Sequence, residues 1–392
     1  MNRSILSPEV QAYIADQLNA DVHRIALSKS QFPLVSGQEL ASQIAARKRS
    51  EKKLPTWFGK TQIYYPALIS IEQSSSEATA AYKSTLLKGD QVIDLTGGLG
   101  VDSYYFGKAA KTVIHCEIDQ ELSEIAAYNA EILGANNISF LHKDGIEYIK
   151  TRATQTGTVY VDPARRSAAG KVFLLKDCTP NIVANLDVLL SKAERIIIKT
   201  SPLLDISAGV RELRNVSEVQ VISTRNECKE LLFIIDKGYT GAIKITSVAI
   251  NATIKKLSFL ESDIESTDLV QKGLSEYLYE PDVALLKSGK FNAIASRFGL
   301  QKLDVQSQLY TSDDFKAEFP GRIFRITDSV SITNLKKQKD LMGNVIVRNY
   351  PDKPERLVKQ FKIKSADEAF LIFTKVYNQG YILLKANILQ YY

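Results

Sequence analysis

The sequence predicts an α/β fold built on a doubly wound, mainly parallel sheet. Two observations predict it. Apolar strand-like segments alternate with helix-like segments from about residue 91 to residue 236, which is the pattern of a parallel sheet covered by helices. Four of these strands also end at or beside an acidic residue, namely Asp94, Glu117, Asp144 and Asp162. Because parallel strands bring their carboxyl ends to one edge, we expect the four acids to line a single ligand crevice.

Helices precede the predicted sheet. Apolar residues recur at nearly helical spacing over residues 9–29, after Ser7-Pro8, and again from Gln38 to Lys53, where Pro55 stops the pattern. A further helix is predicted from Ala78 to Leu87 behind a serine-rich cap. A helical N-terminal segment is therefore expected ahead of the sheet.

The remaining elements follow in chain order. Residues 196–199 form a buried fifth strand, and Val219–Ile222 with Leu231–Ile235 fit a hairpin that ends the sheet. Beyond about residue 240 the pattern changes to strands with few helices, which is typical of small α+β domains. Predicted strands there cover residues 242–246, 248–252, 322–326, 344–348 and 381–386, and predicted helices cover residues 284–298 and 366–379.

Three glycines in four residues follow the first strand, in the loop Thr96–Gly100. Gly97, Gly98 and Gly100 allow the backbone to approach a ligand closely, although glycines at such a turn also serve packing alone. Only two glycines of the loop match the dinucleotide fingerprint G-x-G-x-x-G of many oxidoreductases. Asp102, near the start of the following helix, would also repel a pyrophosphate. The loop therefore favours a ligand without phosphate groups.

This order of motifs resembles the class I S-adenosylmethionine-dependent methyltransferases. The resemblance implies a Rossmann-like sheet whose Gly-rich loop passes around the methionine part of the cofactor. It also implies that Glu117 takes the ribose hydroxyls and that Asp144 lies beside the adenine ring. The positive sulfonium of this cofactor is compatible with nearby acids. The cofactor-binding residues that the resemblance implies are Asp94, Thr96, Gly97, Gly98, Gly100, Asp102, Glu117, Ile118, Asp119, Asp144, Gly145 and Asp162.

A narrower resemblance concerns a segment before the sheet, the residues after the fourth strand and the C-terminal region. The run Glu72–Ser75, the motif Asp162–Arg166 and the C-terminal region are similar to bacterial methyltransferases that carry a THUMP-like C-terminal domain. We expect Glu72 or Gln73 to contact the methionine moiety or the acceptor. The predicted domains are a helical N-terminal segment (1–60), a methyltransferase domain (61–238), a ferredoxin-like α+β domain (239–320) and a THUMP-like domain (321–392).

The sequence Asp162-Pro163-Ala164-Arg165 stands where these methyltransferases keep a D-P-P-aromatic active-site motif. Asp162 and Pro163 retain the half of the motif that accepts hydrogen bonds from a target amino group, whereas Ala164 and Arg165 replace the second proline and the aromatic residue. Arg165 would stack on a base, neutralise a phosphate or pair with Asp162. Lys199 would emerge at the same edge of the sheet. The predicted catalytic residues are therefore Asp162, Pro163, Arg165 and Lys199, and the predicted acceptor is a base nitrogen.

Other acceptors stay open at this point. A ribose 2′-hydroxyl fits a Lys-Asp-Lys-Glu set that contains Asp162 and Lys199. Its other members would be Glu227 or Glu230, and Lys60 or Lys83. Cys178 is the nearest cysteine, but its surroundings do not match a 5-methylcytosine mechanism, which needs a cysteine nucleophile. A protein or small-molecule substrate, or a non-catalytic RNA-binding protein with a vestigial cofactor site, are further alternatives.

Composition narrows the function classes. The chain has 392 residues, of which 45% are hydrophobic and 24% charged, as in soluble globular proteins, and it is long enough for two or three domains. Because no apolar stretch is long enough to span a bilayer or to act as a signal peptide, we expect a cytoplasmic protein with no membrane partner. The three cysteines and three histidines are dispersed, which indicates neither a disulfide framework nor a metal site.

Basic residues are concentrated in two clusters, Arg47–Lys53 and Lys336–Lys364. The formal net charge is +6, and the second cluster alone contains nine basic against three acidic residues. Such clusters bind the phosphate backbone of nucleic acids, although a solvated basic face needs no partner. THUMP domains bind structured RNA, so the resemblance points the same way. We therefore expect the partner to be RNA, either tRNA or rRNA.

Overall fold

The computed structural model shows two compact units. The first comprises residues 1–217 and 232–240, and the second comprises residues 218–231 and 241–392. The residues that the structure describes are 1–165, 174–263, 273–335, 337–338 and 340–392, with Arg165 described by its backbone alone. Several residues of the sequence motifs lie outside the described residues, namely Arg166, Lys336, Lys339 and the side chain of Arg165.

Helices open the first unit. They are α1 (Pro8–Asp16), α2 (Val22–Leu27), α3 (Gly37–Lys53), α4 (Pro55–Phe58), α5 (Leu68–Gln73) and α6 (Glu77–Ser84). The longest, α3, begins at a capping box in which Ser36 and Glu39 exchange hydrogen bonds between side chain and backbone. The prediction of one helix over residues 9–29 is wrong, because the carboxylate of Asp21 accepts the amide of His23 at 2.9 Å and caps a second helix.

The sheet of the first unit confirms the predicted Rossmann-like α/β fold. The strands between residues 91 and 236 are, in chain order, β1 (Gln91–Asp94), β2 (Thr112–Glu117), β3 (Ile138–His142), β4 (Thr156–Val161), β5 (Ala164–Arg165), β6 (Cys178–Thr179), β7 (Ala193–Thr200), β8 (Val216–Thr224) and β9 (Glu227–Asp236). Of these, β5 and β6 form a separate two-stranded sheet. The order is β3-β2-β1-β4-β7-β9, and the pairs from β3 to β7 are parallel. Because β1 lies between β2 and β4, its carboxyl end is the switch point at which ligands bind in such sheets.

Helices cover the sheet and complete the core of the first unit. They are α7 (Val101–Ala109), α8 (Gln120–Ile132), α9 (Gly145–Thr151), α10 (Ile182–Lys192) and α11 (Ile206–Glu212). Central strand residues such as Ile93, Val159 and Ile197 are fully buried. On one side, the ring of Trp57 meets the ring of Tyr104 edge to face, with centroids 5.0 Å apart. The N-terminal helices therefore share a core with α7, the helix that follows the Gly-rich loop.

The second unit is built mainly of antiparallel strands. Its strands are β10 (Lys244–Ile250), β11 (Ile254–Leu260), β12 (Tyr277–Pro281), β13 (Gln301–Lys302), β14 (Tyr310–Ser312), β15 (Gly321–Ser331), β16 (Asn344–Val347), β17 (Ala369–Val376) and β18 (Gly380–Gln390). Its helices are α12 (Val283–Ser288), α13 (Phe291–Phe298), α14 (Ile332–Leu335) and α15 (Pro354–Phe361). One sheet has the order β13-β14-β12-β15-β18-β17-β16. Since β12 pairs with β15, strands from both sides of residue 320 share this sheet, and the predicted domain boundaries stay predictions.

Three predictions for the second unit are wrong in detail. The helix predicted at 366–379 is strand β17, whose residues Phe370 to Phe373 are buried between two neighbouring strands. A short run of apolar residues with no polar face does not distinguish a central strand from a buried helix. The two strands predicted at 242–252 are the single strand β10. The helix predicted at 284–298 is divided at Gly289, which has a φ of 73°.

Gly157 lies at the start of β4, where the chain passes close to the turn before β1. A Cβ at this position would lie 2.1 Å from the carbonyl oxygen of Lys88 and 2.8 Å from the Cα atom of Gly89. Because both neighbours are backbone atoms, Gly157→Ala should lower the free energy of unfolding by about 1–3 kcal/mol, measured as a lower melting temperature. Gly273→Ala is the matched control, since no described heavy atom lies within 4 Å of its Cβ position. Equal losses in both variants would contradict the packing argument.

Candidate active site

The Gly-rich loop at the end of β1 adopts a backbone that only glycine adopts readily. Gly98 and Gly100 have φ values of 55° and 81°. A Cβ at Gly97 would lie 2.1 Å from Nε2 of the buried His115. The amide of Gly98 donates to Oε2 of Glu117 at 2.8 Å. The loop is therefore fixed against the end of β2, as the predicted cofactor loop requires.

His115 supports this loop from below. Its Nε2 lies 3.2 Å from the carbonyl oxygen of Gly98, and because a carbonyl oxygen only accepts, the proton is on Nε2. Burial lowers the pKa of His115, although the charge of Glu117 opposes this effect. The neutral ring is thus the form that holds the loop. Nothing in the sequence pattern predicted this role.

Asp94 closes β1 and is almost fully buried. Its Oδ1 accepts the amide of Thr96 at 3.1 Å, and its Oδ2 accepts the hydroxyl of Ser103 at 2.7 Å. Burial raises the pKa of Asp94 to about 7, and the charges of Asp102 and Asp162 add to this effect against the two hydrogen bonds. A carboxyl group that titrates near neutral pH therefore lies directly under the loop.

The end of β2 combines acids with an exposed apolar residue. Oε1 of Glu117 accepts the amide of Asp119 at 2.8 Å. Asp119 in turn caps α8 by accepting the amide of Leu122 at 2.9 Å. Ile118 lies between the two acids with 70% of its surface exposed, so an apolar side chain is available beside them. The structure thus keeps Glu117, Ile118 and Asp119 together at one edge of the sheet.

The end of β3 contributes Asp144 and Gly145. Oδ1 of Asp144 caps α9 by accepting the amides of Ile146 and Glu147 at 2.7 and 3.0 Å. Its Oδ2 has no hydrogen-bond partner among the residues that the structure describes. A Cβ at Gly145 would lie 2.3 Å from the carbonyl oxygen of Leu95. Glycine is therefore required for α9 to begin this close to β1.

Asp162 and Lys199 form an ion pair at the carboxyl edge of the sheet. Asp162 follows β4, and its amide donates to Oγ1 of Thr96 at 2.7 Å, which connects the end of β4 to the Gly-rich loop. Lys199 is the last residue but one of β7. Next to them, Pro163 is buried and Arg165 pairs with Cys178 through the backbone. Asp162 and Pro163, after β4, and Lys199, near the end of β7, therefore lie at the same edge of the sheet, and Arg165 lies on the separate two-stranded ladder of β5 and β6.

Asp102 is buried, and both of its carboxylate oxygens are contacted by side chains of the protein. Lys83 lies 2.9 Å from Oδ1, while Ser75 and Tyr160 donate to Oδ2 at 2.7 and 2.9 Å. No role was predicted from the sequence for Ser75, Ser103 or Tyr160. One signal was present, since Tyr160 places a hydroxyl in an otherwise apolar strand two residues before Asp162.

Glu72 and Gln73 differ in their availability. The carboxylate of Glu72 pairs with Arg49 at 3.5 Å, and its carbonyl oxygen accepts the ammonium of Lys53 at 2.6 Å. Gln73 is exposed, and its side-chain amide has no partner within the described part of the chain. Of the two residues expected to contact cofactor or acceptor, Gln73 is therefore the one left available.

The residues present fit S-adenosylmethionine. Its positive sulfonium suits an edge at which carboxylates outnumber ammonium groups, and the glycine positions leave no room for a Cβ at Gly97 or Gly145. Among the described residues, no group of three or more His, Cys, Asp or Glu is arranged to hold a metal ion. Within the same residues, no helix has both the length and the hydropathy that a membrane crossing requires.

Comparisons with known proteins show which families and proteins the chain is similar to. A family model described as a ferredoxin-like domain matches residues 277–320, and one described as THUMP domain-like matches residues 321–386. An uncharacterised S-adenosylmethionine-dependent methyltransferase of Mycobacterium tuberculosis (strain ATCC 25618 / H37Rv) is 21% identical over 313 residues, which is 78% of this chain and 83% of that protein. An uncharacterised RNA methyltransferase of Mycoplasma mobile is 39% identical over 77 residues, which is 20% of this chain and 21% of that protein.

A solved structure covers the chain almost completely. The crystal structure of a candidate methyltransferase from Porphyromonas gingivalis W83 has 30% sequence identity and a TM-score of 0.83, and the match covers 99% of both chains. Likeness of this extent includes both units and the Gly-rich loop that joins β1 to α7. The chain therefore belongs to the S-adenosylmethionine-dependent methyltransferases that carry ferredoxin-like and THUMP-like segments, and S-adenosylmethionine is its cofactor.

Proposed function

We propose that this methyltransferase acts on RNA and that a base nitrogen accepts the methyl group. The acceptor assignment depends on the Asp162–Lys199 ion pair at the carboxyl edge of the sheet, beside Pro163. Lys199 engages Oδ2 of Asp162, whereas Oδ1 has no hydrogen-bond partner in the described part of the chain. Oδ1 is therefore available to accept a hydrogen bond from an N–H group of a base.

We assign cofactor-binding roles to residues at the carboxyl edge of the sheet. Glu117 takes the ribose hydroxyls, Asp144 binds the adenine edge through its available Oδ2, and Ile118 gives the base an apolar surface. The loop Gly97–Gly100 passes around the methionine part, with the carboxyl group of Asp94 beneath it. Asp102 and Asp119 support this arrangement as an anchor of α7 and a cap of α8.

The protein's part in the reaction is to position the acceptor and to take its proton. When bound, S-adenosylmethionine supplies a methyl group activated by a positive sulfonium, and the transfer is an in-line displacement. Oδ1 of Asp162 orients the acceptor nitrogen and receives the proton that this nitrogen gives up on methylation. Lys199 fixes the orientation of the Asp162 carboxylate and balances its charge. Arg165 is proposed to stack on the base or to neutralise a phosphate.

The RNA assignment is supported by unpaired charge in the second unit. Lys353, Lys359, Lys362 and Lys364, in and around α15, are exposed and have no ion-pair partner among the described residues. Phosphate groups bind such surfaces with release of counterions. The match to the THUMP domain-like model and the name of the Mycoplasma mobile relative support the same partner.

The N-terminal basic cluster, Arg47–Lys53, offers fewer unpaired basic side chains to RNA. Four of its members are engaged within the chain: Arg47 over the ring of Phe58 at 5.7 Å, Lys48 with Glu51 at 3.0 Å, Arg49 with Glu72 at 3.5 Å, and Lys53 with the carbonyl oxygen of Ile71 at 2.9 Å. We therefore assign most of the RNA contact to the residues around α15.

A ribose 2′-hydroxyl is the second candidate acceptor, because an Asp–Lys pair also occurs in the set that deprotonates a hydroxyl. Lys83 is not available as a further lysine of that set, since its ammonium is fully buried and paired with Asp102. Digestion of the labelled RNA to nucleosides distinguishes the two candidates. A methyl group on a base nitrogen supports our proposal, a methylated ribose supports the second candidate, and a methyl group on a base carbon contradicts both.

Asp162→Asn should reduce methyl transfer to RNA about 100-fold to 10,000-fold, because it removes the group that takes the proton. The assay uses labelled S-adenosylmethionine and total RNA from a strain that lacks the gene. Cofactor binding should stay within about threefold of the unmodified protein. Asp90→Asn is the matched control, because Asp90 also pairs with a lysine, Lys111, at 2.5 Å, but in an exposed position before β1, at the end of that strand opposite the loop. Full activity of Asp162→Asn would exclude Asp162 as the proton acceptor.

Replacing Lys359, Lys362 and Lys364 with Glu should weaken RNA binding and flatten its dependence on salt, by roughly one unit of log–log slope for each phosphate that is no longer neutralised. The measurement is a filter-binding titration at several salt concentrations. Lys29→Glu with Lys237→Glu is the control, since both lysines are exposed and lie outside the two clusters. If the control weakens binding equally for each reversed charge, the effect is one of net charge and the surface around α15 has no special role.

Affinity for S-adenosylmethionine should rise with pH through about 7, because a cationic ligand favours the ionised form of Asp94. Binding at neutral pH should also release protons, which calorimetry in two buffers of different ionisation heat detects. Asp94→Asn removes this dependence and leaves only the titration of the ligand itself. Proton uptake on binding would contradict the assignment.

Without cofactor, Asp94 favours the folded state at low pH, whereas cofactor binding is favoured at high pH. Its pKa in the folded protein lies above the ordinary value of 3.8, so the folded state holds this proton more tightly than the unfolded state does. Asp94 therefore contributes stability below pH 3.8 that is lost as the pH rises through about 7. Asp94→Asn should flatten the pH dependence of the melting temperature over this interval.

A further inference from the structure

Lys83 is a charged side chain with no exposure to solvent. It lies on α6, and its ammonium contacts Oδ1 of Asp102 at 2.9 Å and donates to Oγ of Ser75 at 2.6 Å. The ring of Tyr160 lies 5.5 Å from the same ammonium. Because its ammonium is buried and paired, Lys83 is not available to deprotonate a ribose hydroxyl.

Stability alone is a poor reason for a buried pair of this kind. Moving two charges out of water costs about as much as their attraction returns, so apolar side chains of similar size are usually as good or better. What apolar side chains do not supply is a hydrogen-bond acceptor. Oδ2 of Asp102 accepts two hydroxyl groups, from Ser75 and Tyr160, and a charged carboxylate accepts them best.

Lysines on two elements keep this carboxylate charged. Burial raises the pKa of Asp102, but the ammonium groups of Lys83 on α6 and Lys199 on β7, with the hydrogen bond from Ser75, lower it further, so the pKa lies below its usual range. Two further groups face Asp102. Asp94 on β1 is a nearby acid, and the hydroxyl of Tyr160 on β4 donates to Oδ2 of Asp102. Asp102 is therefore the ionised acceptor of the group.

The position of Asp102 connects this group to the cofactor loop. Asp102 is the second residue of α7, two positions after Gly100. The next residue, Ser103, donates to Asp94. At the other end of the loop, the amide of Leu95 donates to the carbonyl oxygen of Tyr160 at 2.9 Å. Asp102 thus joins the end of the loop to α6, to β4 and to the chain segment before α6.

We propose that Lys83 is a positioning residue for cofactor binding, which acts through Asp102 to hold the end of the Gly-rich loop, Ser75 and Tyr160 in place. This inference rests on the cofactor site proposed above. A purely structural role predicts weaker cofactor binding only in variants of lower stability. Loss of the network should weaken binding of S-adenosylmethionine even in a variant whose stability is unchanged.

The test compares cofactor affinity with melting temperature in four variants. Lys83→Met leaves a buried unpaired carboxylate, so it should lower both. Lys83→Met combined with Asp102→Leu replaces the ion pair by apolar groups and should recover most of the melting temperature lost in Lys83→Met, short of the contribution of the two hydroxyl groups that lose their acceptor. Its affinity for S-adenosylmethionine should stay roughly tenfold or more below that of the unmodified protein, because both hydroxyl groups still lack their acceptor. Recovery of both quantities in the double variant would overturn the proposal.

Two milder variants keep the test decisive where the double variant folds poorly. Ser75→Ala and Tyr160→Phe each remove one hydroxyl and leave no unpaired charge, and each should weaken cofactor binding by roughly threefold to tenfold. Tyr279→Phe is the matched control, since Tyr279 is a buried tyrosine of the second unit whose hydroxyl donates to the carbonyl oxygen of Asp314. Affinities equal to the control in both variants overturn the inference. The unmodified protein is titrated first, because a failure of that binding would refute the cofactor site itself.

Discussion

The structure of the site depends on how two buried carboxylates fix the two ends of the Gly-rich loop. Asp94 accepts hydrogen bonds from Thr96 and Ser103, and Asp102 accepts them from Ser75 and Tyr160. Glycines give the loop its conformation, but glycine alone leaves a chain free to adopt many others. The carboxylates select one conformation, and with it the positions of the strand ends that carry Glu117, Asp144 and Asp162.

The charges at the carboxyl edge of the sheet favour a cationic ligand. Carboxyl groups outnumber the two lysines, and burial leaves Asp94 with a pKa of about 7. A phosphate-bearing cofactor would meet repulsion here, whereas a sulfonium meets attraction. Lys83 and Lys199 have separate tasks at this edge. Lys83 keeps Asp102 charged in the interior, and Lys199 pairs with Asp162 at the carboxyl edge, which is the acceptor site that we propose.

Prediction from the sequence succeeded where the chemistry is local and failed where it depends on contacts between distant residues. The strand ends, the loop and the place of Asp162 after β4 were predictable because apolar segments alternate with helical ones and the acids and glycines directly follow the strands. Their roles in binding and catalysis stay predictions. The role of Tyr160 was not predictable, since its meaning depends on Asp102, 58 residues away in the chain. Strand β17 was mistaken for a helix because its apolar run has no polar face, a consequence of burial between two neighbouring strands.

A calorimetric titration of ligand-free protein with S-adenosylmethionine tests the central claim most directly. We expect one site per chain with micromolar affinity. We also expect Gly97→Ala to abolish the binding while the protein stays folded, because a Cβ there would lie 2.1 Å from Nε2 of His115. Absence of binding to a well-folded sample, or undiminished binding by Gly97→Ala, would contradict the claim that this loop is the cofactor site.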